Sequence, residues 1–329
     1  MNEAKHLTHE VLDPDDVGAR ADVVLGRHLP GLSRRMARRM ALDGKLEIDG
    51  HRVAPSARVA LGQKLVLVTD APAGPTPTLT ILQVTDAVVY VAKPPGIAVH
   101  RLRPDEPPTL ADAVAEQFPE CREVADDPRE MGALHRLDRP TSGVVAFARS
   151  RAVWEVGRAG FTEGTVDKRY AAISRSAPPL GLESWLATPR PEGQETLPAA
   201  LADELRRCGI SASELPVERI SAALGHGDQR GKVAVRGDGM SAVTHLQVLS
   251  EAPEQRFMLL RLLTGRRHQA RGHLAAIGWP LCGDSRYGGA PAPRLLLHAW
   301  SLDLSAAIAG ETAVVDPLPE DLLKALPTA

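Results

Sequence analysis

Cysteine is nearly absent from this chain. Cys121, Cys208 and Cys282 form an odd, widely spaced set without any CxxC pair, which excludes a disulfide framework and a structural zinc site and fits a reducing compartment. Long apolar runs are also missing. The first ten residues, MNEAKHLTHE, are polar and charged, and no later uncharged stretch is long enough to span a bilayer. Neither a signal peptide nor a spanning helix is read, so a cytosolic protein with no membrane partner is expected. Aromatic residues make up only 3%, and Tyr90, Tyr170 and Tyr287 are the only tyrosines. What remains is 43% hydrophobic and 24% charged over 329 residues. That is the composition of a globular chain of about two domains, and it excludes disorder or a fibrous repeat.

The formal charge of −2 says nothing about a polyanionic partner, but its distribution does. Between Arg27 and Lys64 nine Lys or Arg face three acids, a local excess of six positive charges in a slightly acidic chain. Ser33 can cap a helix RRMARRMAL, with Met36 and Met40 on one face. On another face Arg34/Arg38 and Arg35/Arg39 repeat the i, i+4 spacing, and Gly44 stops the helix. LEIDGHRV follows, and Asp49-Gly50 between two short runs is a strong hairpin signal because both turn positions need positive φ.

Asp70 to Thr78, DAPAGPTPT, has no apolar periodicity and reads as a connection. The expected organisation is a small module over 1–70, a linker at 71–78 and a larger domain over 79–329. Beyond the linker, short apolar runs at 88–92, 143–148, 170–174, 242–249, 257–263 and 295–302 predict strands. Helical patterns fall near 109–118, 150–160 and 267–277. Strict βαβ alternation fails, so the fold class is α+β with a mixed, largely antiparallel sheet. Residues 185–225 read as an insertion beside the sheet, with LPAALADELRRCG helical in pattern.

Two constellations carry chemistry. In LHRLDRPTSGVVAFA, His135, Arg136, Asp138, Arg139, Thr141 and Ser142 crowd a turn before a buried strand. Asp and Thr in turns also cap loops through their own side chains, which is the plainer reading of Asp138 and Thr141. In TGRRHQARGHLAAIG, a helix from about Arg267 would bury Ala270, Leu274 and Ile277 and end at Gly278, with Arg271 and His268 pointing elsewhere. So many cations in one turn of sequence repel one another unless an anion or carboxylate lies near. His268 and His273 are five apart, poor spacing for two ligands on one helix face, so no metal is expected. Tyr170 in DKRYAAIS reads by default as a partly buried strand residue. VAKPPGIAVH reads as a strand followed by a rigid turn.

Taken together and in order, KPPGIAVH (93–100), HRLDRPTSG (135–143), KRYAAI (168–173), SAVTHLQVL (241–249), TGRRHQARGHLAAIGWPLCGD (264–284) and LLLHAWSL (295–302) resemble the blocks of the RluA-type pseudouridine synthases. Residues 20–69 resemble the small αL RNA-binding module named for a ribosomal small-subunit protein. HQAR stands where the family usually reads HQIR, and 185–225 does not match the family spacing.

The resemblance implies isomerisation of uridine within RNA without a cofactor or metal. Asp138 matches the catalytic aspartate, a group suited to attacking a sugar carbon or stabilising an oxocarbenium-like centre. Arg271 matches its arginine partner, which favours the charged carboxylate, and Tyr170 matches the tyrosine lying against the base. Arg136 matches a position that enters the helix stack where the uridine leaves. RNA contact is also expected of His135, Arg139, Arg266, His268 and Gln269, and of Arg34, Arg35, Arg38 and Arg39 in the module. The expected partner is structured RNA, ribosomal or transfer, acted on by a monomer with no nucleotide cofactor. Two rival readings are an inactive RNA-binding protein on the same fold and a serine hydrolase using Ser142 or Ser285 with a histidine; the second lacks a GxSxG turn.

Overall fold

The computed structural model describes residues 5–29, 32–69, 75–103, 106–175, 190–193, 197–208, 210, 217–227, 231–253 and 255–327. Half of the linker (71–74) and much of the insertion (185–189, 194–196, 209 and 211–216) lie outside them. The chain divides into two compact units, 1–78 with 100–131, and 79–99 with 132–329. The sequence reading placed one break at 71–78; by compactness, residues 100–131 group with the first unit instead of with the residues on either side.

In the first unit, β1 (Lys5–Glu10), β4 (Lys64–Thr69), β2 (Leu46–Ile48) and β3 (His51–Arg52) form an antiparallel sheet in that order. It packs on α1 (Ala21–His28) and α2 (Arg34–Leu42) through Val24, Leu25, Met40, Leu46, Leu65 and Leu67. The Ser33 hydroxyl accepts the Met36 N–H, so α2 starts where a cap was expected. The two helices approach so closely that a Cβ on Gly26 would sit 2.7 Å from the Arg34 nitrogen. Asp49 and Gly50 both have positive φ, 49° and 79°, the backbone of a tight two-residue hairpin turn. Later in the chain, α3 (Leu110–Gln117) opens with a capping box between Thr109 and Asp112.

The second unit is built on one large sheet. Its strands are β5 (Thr80–Val84), β6 (Val88–Lys93), β7 (Ser142–Ala148), β8 (Asp167–Arg175), β9 (Arg190–Gly193) and β10 (Val217–Ser221). Further along come β11 (Leu224–His226) and β12 (Val233–Val235), a separate two-stranded pair, then β13 (Val243–Ala252), β14 (Gln255–Leu262), β15 (Leu297–Asp303) and β16 (Val314–Val315). The order is β5-β6-β7-β15-β8-β14-β13-β10-β9, with β16 on β15. Only β15 with β7 is parallel among these pairings; the late strand β15 enters between β7 and β8. This is the mixed, largely antiparallel α+β sheet expected. Ile173, Phe257, Trp300, Leu201, Leu318 and Leu322 form the core on one face, with α5 (Ala199–Arg207) and α7 (Glu320–Lys324) over it. α4 (Arg151–Glu163) and α6 (Gln269–Ala276) complete the unit.

Candidate active site

The loop into β7 is what presents Asp138. The Thr141 N–H donates to the Asp138 carbonyl at 3.0 Å and closes a turn. The turn is therefore held by backbone, and the Asp138 carboxylate is not consumed as a cap. A second segment braces it: Lys93, 1% exposed at the end of β6, donates from Nζ to the carbonyls of Pro94, Ile97 and Arg139. Burial pulls the Lys93 ammonium down to about 7, while nearby Asp138 pulls the other way. Gly143, at φ 119°, lets β7 lie against β15, since a Cβ there would sit 2.2 Å from the Ala299 carbonyl oxygen.

α6 brings the arginine. His268, in left-handed backbone at φ 54°, precedes it, so the helix begins two residues later than its sequence pattern predicts. Its burial is also wider than a stripe: Gln269, Ala270, Arg271, Gly272, His273 and Leu274 are all buried, whereas Ile277 is half-buried. Arg271 donates from Nη1 to Asp138 Oδ2 at 3.1 Å, and from Nε and Nη2 to the two Asp284 oxygens at 2.7 and 2.8 Å. Burial opposes its charge, but Asp284 and Asp138 more than offset this and raise its pKa. His268 Nε2 lies 3.7 Å from Asp138 Oδ2. Burial holds that imidazole down to about 4 despite the carboxylate.

Tyr170 stands on β8 opposite Leu260 and Ala299. It is buried, and burial first, then the Asp138 charge, raise its phenol pKa, so it carries its proton at neutral pH. The 133-residue separation of Asp138 and Arg271 is closed by the fold. A carboxylate paired with a guanidinium, with its charge felt by a protonated phenol, can act as a nucleophile toward an electron-poor carbon while the ring supports a flat substrate.

A sequence profile described as RNA pseudouridylate synthase matches residues 87–276, and one described as S4 domain matches residues 19–65. The chain belongs to the RNA pseudouridylate synthase family. Among relatives, an uncharacterised RNA pseudouridine synthase of Mycobacterium bovis is 32% identical over 329 residues, 95% of each chain. The ribosomal large subunit pseudouridine synthase D of Xanthomonas campestris is 28% identical, covering 96% of this chain and 90% of its own. A solved human structure, RNA pseudouridylate synthase domain-containing 4, aligns with a TM-score of 0.48 and 23% identity over 73% of this chain and 89% of its own. This protein is thus a pseudouridine synthase, an isomerase, with an RNA-binding S4 domain.

Within this synthase the other predicted contact residues take different places. Arg136 is exposed. Arg139 is exposed and donates from Nε to the Gly96 carbonyl, and Arg266 is half-buried and donates from Nε to the Ser241 carbonyl. His135 and Gln269 have internal roles instead of solvent-facing ones. His135 Nε2 accepts the Ala146 N–H while the ring stacks on Phe161, and burial lowers its pKa to about 3. Gln269, 2% exposed, donates to Val243 and Thr244 and accepts from Thr264 and Arg266. In the S4 domain Arg34, Arg35, Arg38 and Arg39 are all exposed on α2.

Sequence reading did not single out Lys93, Asp284 or Tyr287; the first stands out only as a charge ending an apolar run. The histidine that the rival hydrolase reading leaves unnamed is His298 in the case of Ser142. Ser142 Oγ lies 2.9 Å from His298 Nδ1 and from Arg294 Nη1, the latter donating. These residues, with Lys93, Asp316 and Asp321, line a cavity of about 340 Å³ that none of Asp138, Tyr170 and Arg271 lines. Tyr170 pairs with Ala299 and Ala171 with His298, so His298 and Tyr170 point to opposite faces of the sheet. Ser285 is exposed.

In the first unit His9, Asp16 and His28 place possible ligand atoms within 4.8 Å. The two imidazoles stack with planes only 8° apart, so no ion can lie in both ring planes. Arg27 holds the other Asp16 oxygen. The group is an ion-pair cluster. Among the described residues no helix is long and apolar enough to cross a membrane.

Proposed function

We propose that this pseudouridine synthase isomerises uridine in structured RNA, large-subunit ribosomal RNA before transfer RNA, with Asp138 as its catalytic carboxylate. The Arg271 to Asp138 bond at 3.1 Å, inside one compact unit with Tyr170 beside it, is the observation that carries the reading. The bond from C1′ of the ribose to N1 of uracil breaks, the base turns, and C1′ joins C5. The C5 proton leaves and N1 gains one, so nothing is added. Asp138 attacks or stabilises the sugar centre, Arg271 orients it, and Tyr170 lies against the base. Arg136, Arg139, Arg266 and His268 line the RNA side of the site. His135 and Gln269 support its walls.

The four α2 arginines contact phosphates through a module over 1–70, joined by a linker at 71–78 to a catalytic domain over 79–329. The choice of ribosomal RNA rests on the names of the relatives from Xanthomonas campestris and Pseudomonas aeruginosa. A cytoplasmic enzyme follows from such a substrate. Tritium release from RNA labelled at uridine C5 tests the reading: large-subunit RNA should release label and transfer RNA should not. Release from transfer RNA alone would overturn the choice of substrate, and no release from either would leave a binding protein.

A further inference from the structure

The support behind Asp138 contains a phenol with no part in the isomerisation steps. Tyr287 is buried, follows Asp284 by three residues, and touches both groups that reach Asp138. Its ring lies under Arg271, with the guanidinium carbon 5.1 Å from the centroid. Its hydroxyl oxygen lies 3.1 Å from His268 Nδ1 and accepts the Val233 N–H at 2.9 Å.

The hydrogen-bond arithmetic around that oxygen assigns a proton. Val233 can only donate, so the phenol proton is left to find an acceptor, and a buried hydroxyl rarely goes without one. Among the described residues His268 Nδ1 is the acceptor in reach. An imidazole that accepts at Nδ1 carries its proton at Nε2, and Nε2 is the nitrogen turned toward Asp138 Oδ2, 3.7 Å away. Asp284 does for Arg271 what Tyr287 does for His268: two bonds fix the plane of the fork, leaving Nη1 aimed at the carboxylate.

Resting on the reading of Asp138 as the catalytic carboxylate, we infer that Tyr287 is a positioning residue for the reaction, fixing His268 as its Nε2–H tautomer so that a donor faces Asp138 across 3.7 Å while Arg271 holds it by a hydrogen bond. The charged groups facing His268 are Asp138, Arg271, Arg267 and Arg286, and Lys232 stands 5.3 Å from the Tyr287 ring centroid. Val233 belongs to β12, so the β11–β12 pair is also tied to this support.

The test uses the full chain and C5-labelled RNA. Tyr287→Phe keeps the ring under Arg271 and removes only the hydroxyl. We expect kcat to fall about tenfold, the effect of one well-placed hydrogen bond, with the RNA KM within threefold. The His268 pKa, followed by the NMR shifts of its ring, should move up by about one pH unit, since the neutral imidazole loses the donor that favours it. In a His268→Gln background the same change should cost less than twofold, because its route to Asp138 is already gone. An equal loss in both backgrounds, or wild-type kcat with an unmoved His268 pKa, would overturn the role. Should Tyr287→Phe not fold, ¹⁵N chemical shifts of His268 in the unmodified enzyme decide: an Nε2–H tautomer is expected and an Nδ1–H tautomer overturns it. Asp138→Asn runs beside these. If it keeps turnover the reading of Asp138 fails; if it is dead and Tyr287→Phe is unaffected, only the role of Tyr287 fails.

Discussion

Arginine is used in opposite ways in the two units. On α2 Arg34, Arg35, Arg38 and Arg39 stand in solvent with no acid in the first turn of their helix. In the catalytic unit Arg271 is 6% exposed and bonded to two aspartates. Water screens the first group, so its mutual repulsion is small, and its charges stay available for any polyanion. Burial makes the second intolerable without counter-charges, and those counter-charges fix its direction. Exposed arginine keeps its charge available and tolerates loss. Buried arginine supplies geometry and does not.

That contrast can be broken most directly at the carboxylate. Asp138→Asn keeps the volume and removes the charge; we expect turnover to vanish while RNA affinity stays within a few-fold. Tritium release at a tenth of the wild-type rate would sink the assignment. Arg271→Met should come next, with single-turnover rates down at least about a hundredfold because Asp138 loses the donor that directs it, and with stability down by about 3 kcal/mol or more because Asp284 is left buried without its partner. A variant that turned over normally would show that the ion pair is only structural.

Acid probes the same intolerance without mutation. Burial lowers the His135 and His298 pKa values to about 3 and about 4, from 6.5. Below pH 6.5 the unfolded chain binds protons that the folded one refuses, so stability falls as pH drops toward 4, by about 1.4 kcal/mol per unit for each ring. Urea unfolding at stepped pH measures the slope, and His135→Gln should flatten it; an unchanged slope would refute the neutral ring. The smallest effect belongs to α2. Changing its four arginines to Gln should leave kcat alone, weaken RNA binding, and lower the salt slope by about 0.7 to 0.9 for each phosphate no longer neutralised. Unaltered affinity and slope would make the helix surface decoration.

Local structure was the more legible part of the sequence. The Ser33 cap, the Asp49-Gly50 turn and the strand runs around Val88, Gly143 and Phe257 follow from nearest-neighbour chemistry, and the structure has them. β1 escaped because KHLTHE is polar and at most half-buried along the described part of the strand, so it has no apolar alternation to read. The site was legible only in part. Asp138, Arg271 and Tyr170 were found through the order of their motifs; no periodicity links residues so far apart. Asp284 and Tyr287 lie within or just beyond the block that carries Arg271, yet their purpose depends on which nitrogen of which partner they meet, and that is tertiary information. Gln269 and His135 show the converse. Polar residues in a charged block invite a ligand, but buried backbone groups need partners as well, and here they took them.

The place of β15 sets a timetable for the enzyme. A ribosome delivers Ser142 and then adds 156 more residues before His298, roughly 8 to 30 s of elongation at about 5 to 20 residues per second. Until then β7 and β8 have no strand between them, and the loop bearing Asp138 leads into an unfinished sheet edge. The long-range pairing that closes this gap also closes a large loop, which makes it a slow step of folding. Activity should therefore appear abruptly and late, once β15 has been made and paired, with no partial turnover before it.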